Sequence, residues 1–183
     1  MQLPVQKWKR PVQIKTKRFA LKPLLPRHAT RKYLTWLRDD ASSRYISTAK
    51  KTKRIQDLRN YIKIFSGFED CIFLRILTIE TNRHIGNIKY HPIDLEKQTA
   101  VMGILIGEPA WRGKEVAKEV IMATSRWLWE NLGIKKIFLG VVKDNKNACS
   151  AYKKCGFQKT STFPGKKRLI KNQAFMVLET DEI

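Results

Sequence analysis

The sequence has few of the features that mark membrane, secreted or metal-binding proteins. Its longest uncharged apolar stretch covers residues 99–107, well short of the roughly 20 residues that a membrane-spanning helix needs. Three cysteines are too few for a disulfide framework and predict a reducing, cytoplasmic location. The basic start of the chain has no apolar segment behind it, which predicts no secretory signal. The three histidines lie far apart with no cysteine at ligand spacing, so no metal site is expected.

Acidic residues are also scarce. The 183 residues include 16 Asp and Glu against 37 Lys and Arg, and the formal net charge is +21. Residues 1–66 alone hold 18 basic and three acidic side chains, a net charge of +15. A positive field of this size attracts anions, so nucleic acid, the ribosome, phosphorylated metabolites and nucleotide cofactors are all candidate partners. A solvated basic face is the alternative, and charge alone does not choose between them.

The hydrophobic patterns that are present predict one α/β domain. Residues 1–18 alternate basic and apolar residues around two prolines, which predicts an extended basic arm before a single domain at 19–183. Strands are predicted at residues 19–25, 71–80, 84–91, 100–106, 136–142, 157–162 and 174–180, and helices at 28–38, 52–65, 114–132 and 145–155. This order predicts a mixed, mostly antiparallel sheet of about seven strands with helices on both faces.

The junction between the predicted strand at 100–106 and the long helix after it is a candidate anion site. Residues 103–120 read GILIGEPAWRGKEVAKEV, in which a short loop with Arg112, Gly113 and Lys114 opens the helix. The first backbone N–H groups of a helix have no partners within it, and the helix dipole adds positive potential there. Phosphate is the anion that such a site favours, although many strand–glycine–helix junctions bind nothing.

A second motif follows the predicted strand at 136–142. Residues 144–157 read DNKNACSAYKKCGF, which places Asn145 at the start of a helix and Tyr152 seven residues later. Taken alone, both residues have ordinary structural explanations. Asparagine is a common helix N-cap, and Tyr152 lies on the apolar stripe of its helix, where it would simply be part of the core.

Together the two motifs resemble those of the GCN5-related N-acetyltransferase (GNAT) family. The shared pattern is Arg-Gly-Lys-x-Val-Ala at residues 112–117, then a strand, then Asn-x₂-Ala-x₃-Tyr-x₃-Gly-Phe at residues 145–157. One branch of the family contains ribosomal-protein-alanine acetyltransferases and enzymes acting on amino sugars and other small amines. The sequences typical of this branch resemble those at residues 33–39, 44–46 and 84–88. The resemblance covers roughly residues 18–180, and it implies a GNAT-like fold.

The resemblance also implies acetyl-CoA as the cosubstrate and a role for each matched residue. The loop amides that would hold the pyrophosphate belong to Trp111, Arg112, Gly113, Lys114, Glu115, Val116 and Ala117. The pantetheine arm would lie between two separating strands, pair with the backbone near Leu105 and Ile106, and form a hydrogen bond with Asn145. Tyr152 would act as the general acid that protonates the departing thiolate.

Two features of the site are not supplied by the resemblance. Glu115 stands where the family usually has the second glycine of its loop, and a carboxylate there would weaken the binding of an anion if it faced the phosphates. The general base is also open. Glu80, His91 and Glu108 lie at predicted strand ends that face the expected acceptor cleft, but each is better explained as an ordinary surface or hairpin residue.

The predicted function is therefore N-acetyl transfer from acetyl-CoA to a primary amine by direct attack. A protein N-terminus and an amino sugar or other small amine are both expected acceptors, and the basic first half fits an anionic acceptor, a ribosomal setting or contact with nucleic acid. No membrane association is expected, and the oligomeric state is a monomer or a homodimer. The alternative is a catalytically impaired acetyltransferase fold that serves as an anion- or nucleic-acid-binding module.

Overall fold

The structure, a computed structural model, describes residues 12–39, 52–165 and 172–181. Within these ranges eight strands and four α-helices form one domain. The strands are β1 (Ile14–Lys15), β2 (Phe19–Pro23), β3 (Ile72–Thr78), β4 (His84–Asp94), β5 (Thr99–Ile106), β6 (Lys136–Val142), β7 (Gln158–Thr160) and β8 (Gln173–Glu179). The helices are α1 (Arg31–Arg38), α2 (Ile55–Ser66), α3 (Val116–Leu132) and α4 (Lys146–Lys154).

The strands form one sheet in the order β1-β2-β3-β4-β5-β6-β8-β7. Every neighbouring pair is antiparallel except β5 and β6. The prediction of a mixed, mostly antiparallel sheet is thus confirmed, with one strand more than the seven expected. No helix in the described ranges is long and apolar enough to cross a membrane.

The additional strand comes from the segment predicted as an arm. Ile14 pairs with Leu21, so β1 and β2 form a hairpin at the edge of the sheet. The turn of this hairpin is tied to α3, because Thr16 Oγ1 donates to Glu119 Oε1 at 2.7 Å and Arg18 Nε donates to Glu119 Oε2 at 2.6 Å. A two-residue strand is too short to show an alternating pattern, and residues 1–11 lie outside the described residues.

Helices cover both faces of the sheet, as predicted. Alternate residues of β3 divide between the two cores: Ile72, Leu74 and Ile76 pack under α3, and Phe73 packs under α1 and α2. This follows from the strand period of two, which sends successive side chains to opposite faces. The core on the α1–α2 side is rich in aromatic rings and includes Tyr33, Trp36, Leu58 and Ile62.

Strand β4 continues past Pro92, where the sequence predicted its end. The register between β4 and β5 shifts between Tyr90 and Ile93, so Pro92 lies in an irregularity and leaves no ladder hydrogen bond unmade. Ile93 N then donates to Asp70 O at 2.9 Å. The prediction was wrong here because a proline stops a strand only where its missing N–H would be needed.

The parallel pair β5–β6 separates after three residues. Thr99, Ala100 and Val101 of β5 pair with the first three residues of β6, and no later residue of either strand does. Beyond that point β5 stays paired with β4 as far as Ile106, and β6 stays paired with β8 as far as Val142. Two well-anchored strands therefore diverge, and a wedge opens between residues 102–106 and residues 139–142.

The turn before α1 depends on a neutral histidine. His28 Nδ1 accepts a hydrogen bond from Leu25 N at 3.0 Å. Burial, helped by the positive charges of Arg75 and Arg27, lowers the pKa of His28 from 6.5 to about 4. Between pH 6.5 and 4 the unfolded chain binds one more proton at His28 than the folded protein does. The contribution of neutral His28 to the free energy of unfolding is therefore complete above pH 6.5 and is lost as the pH falls towards 4.

We expect the free energy of unfolding, measured by urea titration from pH 7.5 to 4.5, to decrease with falling pH over this window. His28→Asn retains an acceptor close to the Nδ1 position but does not titrate, so the decrease should be smaller in this variant. An equal pH dependence in the two proteins would show that His28 is not the titrating group.

Candidate active site

The wedge between β5 and β6 opens into a cleft of about 750 Å³, a size typical of small-molecule sites. One end is bordered by the start of α3 and by α4, and the other by side chains of α1, α2, β3 and β4. Of the residues predicted to bind the cofactor or act on it, the cleft is lined by Leu105, Ile106, Trp111, Arg112, Gly113, Glu115, Val116, Ala117, Asn145 and Tyr152. Lys114 is exposed beside this lining.

A row of unused backbone donors marks the start of α3. The first intrahelical bond runs from Glu119 N to Glu115 O, so the amides of residues 116–118 have no partner within the helix. No hydrogen bond to another described residue uses the amides of residues 113–118. The row lies at the positive end of a 17-residue helix, an arrangement that binds phosphate groups well.

Arg112 supports this loop from behind. Its side chain donates to Ile106 O and to Gly107 O, each at 3.0 Å, and to Asp39 Oδ2 at 2.6 Å. These contacts tie the loop to the end of β5 and to the residue after α1. The positive charge of Arg112 is therefore partly neutralised by Asp39. Lys114 is exposed, its Nζ lies 5.7 Å from the centre of the Trp111 ring, and it forms no ion pair with a described residue.

Glu115 adopts a backbone conformation that is more usual for glycine. It caps α3 with φ 57° and ψ 20°, a left-handed conformation that glycine adopts at lower cost. Its carboxylate is exposed and lies 3.5 Å from Lys154 Nζ on α4. The amide row is thus intact, and the charge of Glu115 is partly offset by Lys154.

Asn145 is both an N-cap and a wall of the cleft. Its Oδ1 accepts from Ala148 N at 3.1 Å, which is the ordinary capping role. No described group bonds to its Nδ2, so this amide keeps a donor available on the cleft side.

Tyr152 lines the cleft and has a protonated hydroxyl. It lies on α4, half-buried, with its ring 5.8 Å from that of Phe157. Burial, with smaller contributions from Cys155 and Cys149, raises the pKa of Tyr152 to about 12. Among the described residues none hydrogen-bonds to this hydroxyl. Tyr152 is therefore neutral at physiological pH and has a proton to donate.

The three predicted base candidates do not line the cleft. Glu108 is 5% exposed, accepts from Trp36 Nε1 at 3.2 Å, and is paired with Lys32 at 3.1 Å and with Arg83. Burial alone would raise the pKa of Glu108, but the hydrogen bonds from Lys32 and Trp36 and the nearby positive charges outweigh it and lower this pKa. A carboxylate held in its ionised form accepts a proton poorly.

Glu80 and His91 also lie outside the lining of the cleft. Glu80 is exposed in the turn after β3. His91 is half-buried on β4, where its ring stacks on Phe68 at 5.0 Å and its Nδ1 lies 3.3 Å from Asp70 Oδ1. The structure thus groups the predicted cofactor residues and separates them from the predicted bases.

The comparisons with known proteins agree with this geometry. The model of the acetyltransferase (GNAT) domain family matches residues 18–158. The chain belongs to the GNAT family. It is an acetyl-CoA-dependent acetyltransferase, with acetyl-CoA as its cosubstrate. The amide row and the open wedge fit this cosubstrate, since they offer donors to phosphate and unpaired strand backbone to an extended arm.

Known GNAT proteins resemble this one over most of their length. An N-acetyltransferase 9-like protein of Caenorhabditis briggsae is 26% identical over 160 residues, which are 82% of this chain and 79% of that protein. RimL, a ribosomal L7/L12 α-N-protein acetyltransferase in complex with coenzyme A, aligns with a TM-score of 0.76 and 10% identity over 92% of this chain and 98% of its own. The microcin C7 self-immunity acetyltransferase MccE, in complex with acetyl-CoA and AMP, aligns with a TM-score of 0.72 and 17% identity over 89% of this chain and 93% of its own.

The end of the GNAT cleft bordered by α1 and α2 was not identified from the sequence. It is lined by Tyr33, Tyr61, Phe73, Asn87 and Lys89. The signal available was weak: Asn87 and Lys89 are polar residues two apart in a strand, which places both on one face, but His84, His91 and Asp94 of the same strand are polar too.

Proposed function

We propose that this GNAT enzyme transfers the acetyl group to a primary amine by direct attack, with Tyr152 as the general acid. The observation that supports the proposal best is that one cleft is lined both by Tyr152 and by residues at the start of α3 whose amides are unpaired. A protein N-terminus and a small amine both present the required nucleophile.

The cofactor half of the proposal assigns binding to backbone groups. The amides of residues 113–118 would hold the pyrophosphate, and the edge of β5 at Leu105 and Ile106 would pair with the pantetheine arm. Asn145 Nδ2 would donate to the same arm. When bound there, acetyl-CoA supplies an activated acetyl group and a thiolate leaving group.

The role of Tyr152 follows from its protonation state. Starting from the neutral amine, transfer removes one proton from the nitrogen and adds one to the thiolate sulfur, so this step itself releases no net proton. A neutral hydroxyl directed at the sulfur stabilises the charge that forms only as the carbon–sulfur bond breaks, and such an interaction lowers the barrier. Because the pKa of Tyr152 is about 12, the phenol regains its proton readily after each turnover.

The amine must be neutral before it attacks, and no described carboxylate borders the end of the cleft next to α1 and α2, where the acceptor would bind. We therefore propose that the ammonium proton is lost to solvent or through water. A general-base role for Glu80, His91 or Glu108 remains a prediction that requires intervening water.

A turnover screen across amine classes tests the proposed function. The screen would include peptides with free N-termini, amino sugars, amino acids and polyamines, with release of the coenzyme A thiol as the measurement. We expect acetyl-CoA to stabilise the protein by about 2.7 kcal/mol at 100 times its Kd and at least one class to be acetylated. Binding of acetyl-CoA without acetylation of any class would support the impaired binding module instead.

A further inference from the structure

A buried hydrogen-bond donor without a partner lies at the α1–α2 end of the cleft. Asn87 is 3% exposed and lines the cleft. His84 Nε2 lies 3.0 Å from Gly86 O and 2.9 Å from Asn87 Oδ1. A carbonyl only accepts, so His84 Nε2 carries its proton and the Asn87 atom facing it is the oxygen. Nδ2 of Asn87 then faces away from His84, and no described group accepts from it.

Lys89 adds a positive charge on the same face of β4. Its Nζ donates to Tyr61 Oη at 2.8 Å and lies 3.4 Å from the centre of the Phe65 ring. Aromatic rings stabilise an ammonium group without neutralising it. No carboxylate in the described ranges forms an ion pair with Lys89, which lines the cleft. Its positive charge and its other N–H donors therefore remain available there.

Arg75 places a second unpaired donor beside Asn87, outside the lining of the cleft. It is the cross-strand partner of Asn87, which in turn pairs with Leu105 at the edge of the wedge. Neighbouring strands lie about 4.8 Å apart, and cross-strand partners share a face, so Arg75 lies next to Asn87 on the same face of the sheet. Arg75 Nε is buried and has no partner among the described residues. Native proteins rarely leave buried donors unpaired, and two of them adjacent to an unneutralised ammonium require an explanation.

We propose that Asn87 and Lys89, with Arg75 behind them, form a subsite for a carboxylate of the acceptor. The acceptor class is then a primary amine that carries a carboxylate within a few bonds of its nitrogen. A carboxylate accepts several hydrogen bonds at once and offsets the charge of Lys89. This proposal rests on the proposed function and deepens it, because it assigns the chemistry of the acceptor rather than that of the transfer.

Free amino acids and peptides that begin with an acidic residue both have this chemistry, and matched pairs distinguish them. The first pair is β-alanine and β-alaninamide. The second is a tetrapeptide amide that begins with aspartate and the same peptide beginning with asparagine. In one pair or both, kcat/KM should favour the carboxylate member about tenfold or more, as expected for a charge-assisted hydrogen bond. The pair that shows the preference identifies the source.

Two substitutions connect the preference to the subsite. Lys89→Met keeps the apolar stem and removes the charge, so the ratio within the responding pair should approach one. Asn87→Asp keeps the oxygen facing His84 and replaces the free donor by a negative charge, so the ratio should invert. Lys135→Met removes an exposed lysine away from the cleft and should leave the ratio unchanged, although the net charge changes equally.

Equal kcat/KM values within both pairs, or a ratio that Lys89→Met does not alter, would overturn the carboxylate subsite while the acetyltransferase function stands. Failure of the proposed function differs from this, since no member of either pair, nor any amine of the wider screen, would then be acetylated although acetyl-CoA binds. That outcome would overturn the subsite as well.

Discussion

Tyr152→Phe is expected to lower kcat by about 10²- to 10⁴-fold, the usual contribution of a general acid. The substitution keeps the ring and its contact with Phe157 and removes only the hydroxyl. Because no described residue bonds to that hydroxyl, its loss should change neither the melting temperature nor the affinity for acetyl-CoA by much. Steady-state kinetics, thermal unfolding and calorimetric titration on the one variant measure all three quantities.

Tyr90→Phe is the matched control for this experiment. The Tyr90 hydroxyl is buried and lies 2.7 Å from Thr124 Oγ1, and Tyr90 does not line the cleft. Its loss should reduce stability by about 0.5–1.5 kcal/mol and leave kcat unchanged. If Tyr152→Phe gave this same pattern, a destabilised enzyme of full activity, Tyr152 would be a core residue and the proton would have to come from water.

Elements with a strong local pattern could be predicted closely from the sequence. The strand predicted at 136–142 is β6 (Lys136–Val142), and the helix predicted at 114–132 is α3 (Val116–Leu132). Helix α3 ends at Leu132 and is capped by Gly133, which adopts a left-handed φ of 65° as predicted for a C-terminal glycine. It begins two residues later than predicted because Glu115 is left-handed, and no local signal indicates that a glutamate will adopt this conformation.

The contacts that complete the site depend on residues far apart in the chain. The side chain of Arg112 bonds to Asp39, 73 residues earlier. The sequence of the loop alone therefore could not show whether the charge of Arg112 faces the phosphates. The wedge is likewise a property of three strand pairings, in which β4 and β8 hold β5 and β6 apart. Periodicity predicts that a strand forms but not where its neighbour stops pairing.

The acceptor side shows the same limit. Glu80, His91 and Glu108 are plausible bases by residue type, but Glu108 is paired with Lys32 and Arg83, and neither Glu80 nor His91 borders the cleft. The sequence shows which residue types are capable of a reaction, whereas packing in the fold decides whether their side chains face the cleft. The free donor of Asn87 is visible only once the positions of His84 and Gly86 fix its orientation.

Ala117→Glu is expected to raise the Kd for acetyl-CoA by about 10²- to 10³-fold. Ala117 lines the cleft at the second position of α3, so a carboxylate there would compete with phosphate for the same amides and repel it. Losing one or two charge-assisted hydrogen bonds, each worth about 1.5–3 kcal/mol, accounts for a change of this size. The fold should be retained or slightly stabilised, since acidic side chains in the first turn favour the helix dipole.

Gln56→Glu provides the matched control, because Gln56 holds the second position of α2 and is exposed outside the cleft. It introduces the same charge at the same helical position, so any general effect of net charge on an anionic ligand appears in both variants. Calorimetric titration with acetyl-CoA should therefore separate them by at least an order of magnitude in Kd. If the Kd of Ala117→Glu for acetyl-CoA were within a few-fold of that of the unsubstituted protein, the phosphates would not lie on the α3 amides. The side chain of Lys114, which precedes α3, would then have to hold them instead.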